Sequence, residues 1–255
     1  MIGIFVPEID PTLSWWPPVV VVVALVLFNI VNHRVAPRSH GLLWSFGGSV
    51  LLIALGLLDG NTWTDMGLGW ARMLPGLVWA GAAVGLVTVF YLVGAWLPRT
   101  REAFRDERNA SLTGPLVAFR ALIEVPLGTV LLEEIAFRAV LFSMLARRYG
   151  LIWAVVISSL LFGLWHVLPS VGTHEQNPAL SRVFGTGLRA NIAVVTLSVI
   201  TTALSGVVFA GLRILSGSVL APMGLHWATN GLGYTFSWVI LRWRRDHHRP
   251  PTDPG

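Results

Sequence analysis

Residues 131–142 read LLEEIAFRAVLF and place two carboxylates and one guanidinium inside an otherwise apolar stretch. A charged side chain at membrane depth costs about 2.5–3.5 kcal/mol, so it is a candidate functional residue. Glu134 and Arg138 are four residues apart and can form an ion pair on one helix face. Glu133 lies about 100° around the helix and is available for another task. Alternatively, both glutamates share Arg138 as a buried ion cluster, which leaves a net negative charge.

Two further apolar stretches each carry one histidine. His166 lies in LLFGLWHVLP, four residues after Phe162, and His226 lies in APMGLHWATNGLG, four residues before Asn230. Four-residue spacing puts each pair on one face of a helix. A single histidine in an apolar helix is more often an interhelical hydrogen-bonding residue than a catalytic one.

The three stretches together carry a set of groups with catalytic chemistry. Glu133, His166, His226 and Asn230 can activate a water and stabilise an oxyanion. Glu133, His166 and His226 also form a nitrogen and oxygen ligand set of the kind that binds zinc. The residue types alone leave both interpretations open.

The composition identifies the environment of these groups. Of 255 residues, 54% are hydrophobic and only 12% are charged, against about 25% charged in a typical soluble domain. All 18 basic residues are arginines. Most of them lie in short runs between apolar stretches, which is typical of membrane proteins and argues against nucleic-acid binding. The absence of cysteine excludes a thiol nucleophile and disulfides.

Seven apolar stretches are long enough to cross about 30 Å of hydrocarbon. They cover approximately residues 16–32, 41–58, 74–97, 126–146, 151–168, 191–214 and 218–243. The last contains glycines and allows two short helices, so seven or eight spans are expected. The segment GPLVAFRALIEVPLG, residues 114–128, leads into the fourth stretch. It predicts an amphipathic helix at the membrane interface before the fourth span. The sequence therefore predicts an all-α, polytopic transmembrane helix bundle.

The arginine distribution predicts the orientation of the chain. With seven spans and an external N-terminus, twelve arginines lie on the inner side and four on the outer side. Because cytoplasmic loops are enriched in arginine, we expect a multi-pass protein of the plasma membrane with a cytoplasmic C-terminus. The adjacent Arg147 and Arg148 on the outer side are a local exception.

The three motifs resemble those of the CPBP family of intramembrane proteases. This family includes the type II CAAX prenyl proteases and the bacteriocin-processing or immunity relatives of the Abi group. The resemblance rests on Glu-Glu-x-x-x-Arg, Phe-x-x-x-His and His-x-x-x-Asn, in that order and each within an apolar segment. It divides the chain into an N-terminal three-span region (1–114), a protease core (115–243) and an arginine-rich cytoplasmic tail (244–255).

The resemblance implies an intramembrane endopeptidase. It implies that Glu133 and His166 activate a water and that His226 and Asn230 stabilise the oxyanion. Glu134 and Arg138 then form the supporting ion pair. The position of Phe162 in its motif implies a packing role.

The resemblance leaves cofactor and substrate to be tested. The family has often been described as metal-dependent; we favour glutamate chemistry without a metal or other cofactor, with zinc bound by Glu133, His166 and His226 as the alternative. The implied substrate is a membrane-associated peptide or protein, either CAAX-type or a bacteriocin or peptide precursor. A non-catalytic immunity or scaffold protein and a transporter with an intramembrane charge relay are the competing functions.

Overall fold

The structure is a computed structural model that describes residues 7–34, 40–97, 100, 109, 111–176 and 178–247. These residues form helices and no strand, which confirms the predicted all-α class. The charged loop at 98–110 and the tail at 244–255, on which the predicted orientation depends, lie largely outside the described residues.

The first three helices follow the first three apolar stretches closely. Helix α1 covers Trp16–Arg34, α2 covers Gly41–Leu58 and α3 covers Met73–Trp96. A 3₁₀ turn, Trp70–Arg72, leads into α3. Each of these helices has an apolar face that is exposed on the bundle surface, as a face in contact with lipid would be.

Helix α4 runs without interruption over residues 114–149. The amphipathic segment and the fourth apolar stretch are therefore parts of one helix, and no turn separates them. The wide turns of a π-helix occur in α4 over Arg120–Val130 and Ile135–Val140. Pro126 lies in the first of these, and a proline both lacks an N–H donor and clashes with the carbonyl four residues earlier, so the regular α-helical ladder is disrupted there.

Gly150 separates α4 from the next helix, α5, which covers residues 151–165. Its φ of 83° and ψ of 173° are not helical, and a positive φ is readily adopted only by glycine. The chain folds back at Gly150. As a result, α5 packs against α4, and the rings of Phe137 on α4 and Phe162 on α5 lie 5.3 Å apart. This hairpin brings the first two motifs together.

The remaining long helices complete the bundle. Three short helices, Val167–Ser170, Thr173–Gln176 and Pro178–Phe184, lead from α5 to α6, which covers Gly187–Ser216. Helix α7 is continuous over residues 220–247 and contains a π-helical turn at Ala228–Leu232. Of the two arrangements that the sequence leaves open, one long helix or two short ones, these residues form the single helix.

Small residues allow these helices to approach closely. A Cβ on Gly163 of α5 would lie 2.6 Å from the backbone oxygen of Val199 on α6. A Cβ on Gly224 of α7 would lie 2.5 Å from the Cβ of Ala80 on α3. Close backbone contact at glycine and alanine is the usual way in which helices pack inside a membrane.

Helix α4 is the centre of the bundle. All its residues from 132 to 146 are buried, and a helix segment that is buried on every side has no face for solvent or lipid. The two glutamates and Arg138 are therefore enclosed by other helices. Within the part of the chain that the structure describes, five segments are long and apolar enough to cross a membrane: Trp16–Arg34, Gly41–Leu58, Trp70–Trp96, Gly114–Ser170, which contains both α4 and α5, and Gly187–Ser216.

Candidate active site

Glu134 connects α4 to α7. Its side chain is fully buried, and its Oε1 accepts a hydrogen bond from Arg138 Nη1 at 3.4 Å. The same oxygen lies 2.8 Å from His226 Nδ1. Helical spacing predicts the first contact; the second joins residues 92 positions apart and has no signal in the sequence.

Glu133 faces the two histidines. Its Oε1 accepts a hydrogen bond from the indole Nε1 of Trp165 at 3.1 Å. Its Oε2 lies 3.9 Å from His166 Nε2 and 3.8 Å from His226 Nε2, and these gaps are too long for direct hydrogen bonds. The structure pairs Arg138 with Glu134 rather than with both glutamates, so the shared ion cluster is not the arrangement in the described residues.

The partners of the Nδ1 atoms orient both imidazole rings. His166 Nδ1 lies 2.8 Å from the carbonyl oxygen of Phe162 at the end of α5, and a carbonyl can only accept. His166 Nδ1 therefore carries a proton and its Nε2 faces Glu133. His226 Nδ1 donates to the carboxylate of Glu134 in the same way.

Aromatic rings enclose the cluster. Phe162 lies edge-on to His166, with ring centroids 4.8 Å apart, and the Cζ of Arg138 lies 3.9 Å from the centroid of Phe162. Phe209 of α6 stacks on His226 at 5.1 Å and 24°. A cation over an aromatic face is stabilised by the ring quadrupole, so these rings support the buried charges as well as excluding water.

Two of these contacts were not predicted from the sequence. Phe209 carries no signal, because it is one apolar residue in an apolar helix. Trp165 has a weak one: it directly precedes His166, and a buried indole N–H needs an acceptor.

Asn230 does not join the cluster. Its side chain is exposed on the π-helical turn that follows His226. A π-helix closes its turn with an i→i+5 hydrogen bond, so residues four apart no longer lie directly above one another. The predicted role of Asn230 in stabilising an oxyanion therefore stays a prediction.

The spacing of the candidate zinc ligands can be compared with that of a zinc centre. Ligand atoms at about 2.0–2.1 Å from a tetrahedral zinc lie about 3.3 Å apart. The oxygen of Glu133 is 3.9 and 3.8 Å from the two imidazole nitrogens, so the set is too wide by about half an ångström. No group of three histidine and carboxylate side chains within the described part of the chain has metal-binding geometry. The donor types suit zinc, but this arrangement does not fit it.

Comparison with known families supports the motif assignment. Residues 115–232 match the family described as type II CAAX prenyl endopeptidase Rce1-like. That segment contains all three motifs, from Glu133 to Asn230. Searches of curated proteins and of solved structures found no match. The resemblance noted in the sequence is confirmed over this segment: residues 115–232, slightly less than half of the chain, are similar to the Rce1-like type II CAAX prenyl endopeptidases.

Proposed function

We propose that the protein is an intramembrane endopeptidase that hydrolyses a peptide bond with a water activated by Glu133 and His166. The observation that carries this proposal is the convergence of Glu133 Oε2 with the Nε2 atoms of His166 and His226. Polar atoms 3.8–3.9 Å apart are too far from each other for a direct hydrogen bond and close enough for one water to contact both. The buried location also excludes bulk water from the reacting groups.

The first step is the attack of this water on the scissile carbonyl. Glu133 Oε2 accepts one proton of the water, and His166 Nε2, which carries a lone pair, orients the other. The water oxygen bonds to the carbonyl carbon, and the carbonyl oxygen becomes an oxyanion. The C–N bond then breaks, and Glu133 returns the proton to the leaving amine.

His226 serves as the donor to the oxyanion in this scheme. Because its Nδ1 already donates to Glu134, Nε2 can donate only when the ring is an imidazolium. With both carboxylates ionised, an imidazolium at His226 together with the guanidinium of Arg138 makes the cluster neutral as a whole. A neutral cluster avoids the cost of an uncompensated charge in an apolar surrounding.

We expect His226→Gln to lower kcat by about 10²–10³-fold while leaving measurable activity, because it removes one oxyanion donor. Asn230→Ala tests the predicted role of Asn230 separately: because this side chain is exposed in the structure, a loss of the same size requires that it turn toward the bound substrate. Activity of the wild type should persist in a chelator that strips zinc. The measurement is cleavage of a membrane peptide in proteoliposomes, together with elemental analysis of the purified protein.

The zinc alternative predicts a different outcome of the same measurement. In that case His226 is a metal ligand, and its loss empties the site and removes turnover completely. One zinc per chain, lost together with all activity in His226→Gln, would contradict the proposed mechanism.

We further propose that the chain crosses the membrane seven times. Helix α7 has 28 residues and a length of about 42 Å, enough for a seventh span. One of the two outer arginines is neutralised locally: Arg148 makes a buried two-point ion pair with Asp59, at 2.5 and 2.8 Å. An arginine whose charge is compensated in this way is a weak topology signal.

Reporter fusions at Gly255 and within the 98–110 loop should both read as cytoplasmic, because arginine-rich segments are retained inside. A fusion to the loop between α2 and α3 should read as external and serves as the control. An external reading at Gly255 with an internal reading at the loop would instead establish an eighth span.

The proposed substrate is a membrane-associated peptide or protein in the plasma membrane, either a CAAX-type protein or a peptide precursor. A glutamate that activates water is essential to a protease and dispensable to a scaffold or immunity protein. A biological activity that survives Glu133→Gln would therefore favour the non-catalytic alternative. Ion flux in liposomes without cleavage would favour a transporter.

A further inference from the structure

We propose that Trp165 and Asn29 are positioning residues for Glu133, so that α1 contributes to the active site. Neither residue belongs to the three motifs, and α1 lies outside the segment that matches the protease family. The inference rests on the proposed function of Glu133. It adds the means by which this carboxylate is held in one orientation.

The indole of Trp165 holds one carboxylate oxygen of Glu133. An indole N–H is a donor only, and it binds Glu133 Oε1 at 3.1 Å. A carboxylate can rotate about its last bond, so a donor on one oxygen fixes where the other one points. Here the second oxygen, Oε2, faces the Nε2 atoms of both histidines. Trp165 therefore decides which carboxylate oxygen serves as the base.

The backbone of Trp165 is held in turn by Asn29 of α1. The last four carbonyls of a helix have no partner within it, and Trp165 is the last residue of α5. Its carbonyl oxygen accepts a hydrogen bond from Asn29 Nδ2 at 2.8 Å. Asn29 lies on α1 and is buried, with 7% of its surface exposed. A polar side chain near the C-terminal end of the valine-rich helix α1 thus provides the hydrogen-bond donor for the last carbonyl of α5.

The indole of Trp165 also packs against a neighbouring aromatic ring. The ring of Trp165 lies against Phe137 of α4, with centroids 5.8 Å apart and planes at 71°. A phenylalanine at this position keeps an aromatic ring beside Phe137 and loses the N–H together with part of the ring volume. A second Trp→Phe variant away from the site carries the same loss of volume and therefore separates the hydrogen bond from the packing.

The experiment compares Trp165→Phe with a matched tryptophan replacement. Trp238 donates its indole N–H to the carbonyl of Leu112 at 2.9 Å, away from the glutamates, so Trp238→Phe removes a similar bond without touching the site. Trp165→Phe should lower kcat about 10- to 100-fold, as expected for a lost hydrogen bond to a charged group, with KM unchanged. Trp238→Phe should keep the wild-type kcat.

Asn29 is tested by Asn29→Leu, which retains volume and removes the amide. Because Asn29 acts through Trp165, the expected loss in kcat is smaller, about 3- to 10-fold. The combined variant should lose less than the product of the two single losses, because both changes affect one chain of contacts. Thermal unfolding of each variant in detergent provides the check on folding.

The outcomes separate this inference from the proposed function. If the wild type cleaves, Glu133→Gln does not, and Trp165→Phe keeps the wild-type kcat, the positioning role is wrong and the protease stands. Equal kcat losses in Trp165→Phe and Trp238→Phe would likewise reduce Trp165 to a structural residue. If the wild type cleaves no membrane peptide, the proposed function and this inference are both wrong.

Discussion

Replacing Glu134 with alanine should lower the free energy of unfolding by about 3–5 kcal/mol, because it leaves buried cations without their carboxylate. Glu134 and Arg138 have side chains that are 0% and 1% exposed. Glu134 also holds His226 at 2.8 Å, so the variant loses the contact between α4 and α7. The aromatic faces around Arg138 offset part of the loss. Thermal or denaturant unfolding in detergent measures the effect.

The chain contains a matched control for this experiment. Arg120 and Glu124 form an ion pair at 3.6 Å with the same four-residue spacing, but their side chains are 36% and 56% exposed. An exposed helical pair contributes about 0.3–0.5 kcal/mol, so Glu124→Ala should leave the unfolding transition almost unchanged. Equal losses in the free energy of unfolding for Glu134→Ala and Glu124→Ala would mean that burial does not increase the stabilisation that the Glu134 pair provides.

Replacing Glu133 with glutamine should reduce kcat by at least about 10²–10⁴-fold, the range that a positioned general base contributes. Glutamine keeps the size of the side chain and can still accept the indole hydrogen bond of Trp165, which in the wild type is 3.1 Å long. The unfolding transition should therefore stay close to that of the wild type. The measurement pairs peptide cleavage in proteoliposomes with thermal unfolding of the same preparation.

The two glutamate variants form a crossed test. Glu133→Gln should lose activity and keep stability, whereas Glu134→Ala should lose stability. The reverse pattern, a destabilised Glu133→Gln with a stable Glu134→Ala, would show that the two neighbours are assigned the wrong way round.

Local spacing was enough to predict some of this site. Four-residue spacing predicts that Glu134 and Arg138 share a face, and the structure has them 3.4 Å apart. The same argument turns Glu133 toward a different neighbour. Apolar length predicted the first three helices within a few residues. These are properties of one helix at a time, which periodicity describes well.

Periodicity could not predict the contacts between helices. A pattern indicates which face of a helix is buried but not which residue of another helix lies opposite. The bond from His226 to Glu134, the stacking of Phe209 and the bond from Asn29 to the end of α5 are all of this kind. The exposed position of Asn230 has a different cause: the π-helical turn at Ala228–Leu232 changes the register that an α-helix predicts.

In the proposed function, a water activated by Glu133 and His166 within this bundle hydrolyses a peptide bond. The most direct test is mass spectrometry of a membrane peptide incubated in H₂¹⁸O with proteoliposomes containing the full chain and a zinc chelator. We expect two fragments, with ¹⁸O in the carboxylate of the new C-terminus, and their absence when Glu133→Gln replaces the wild type. An intact peptide with the wild type, or fragments formed equally by Glu133→Gln, would contradict it.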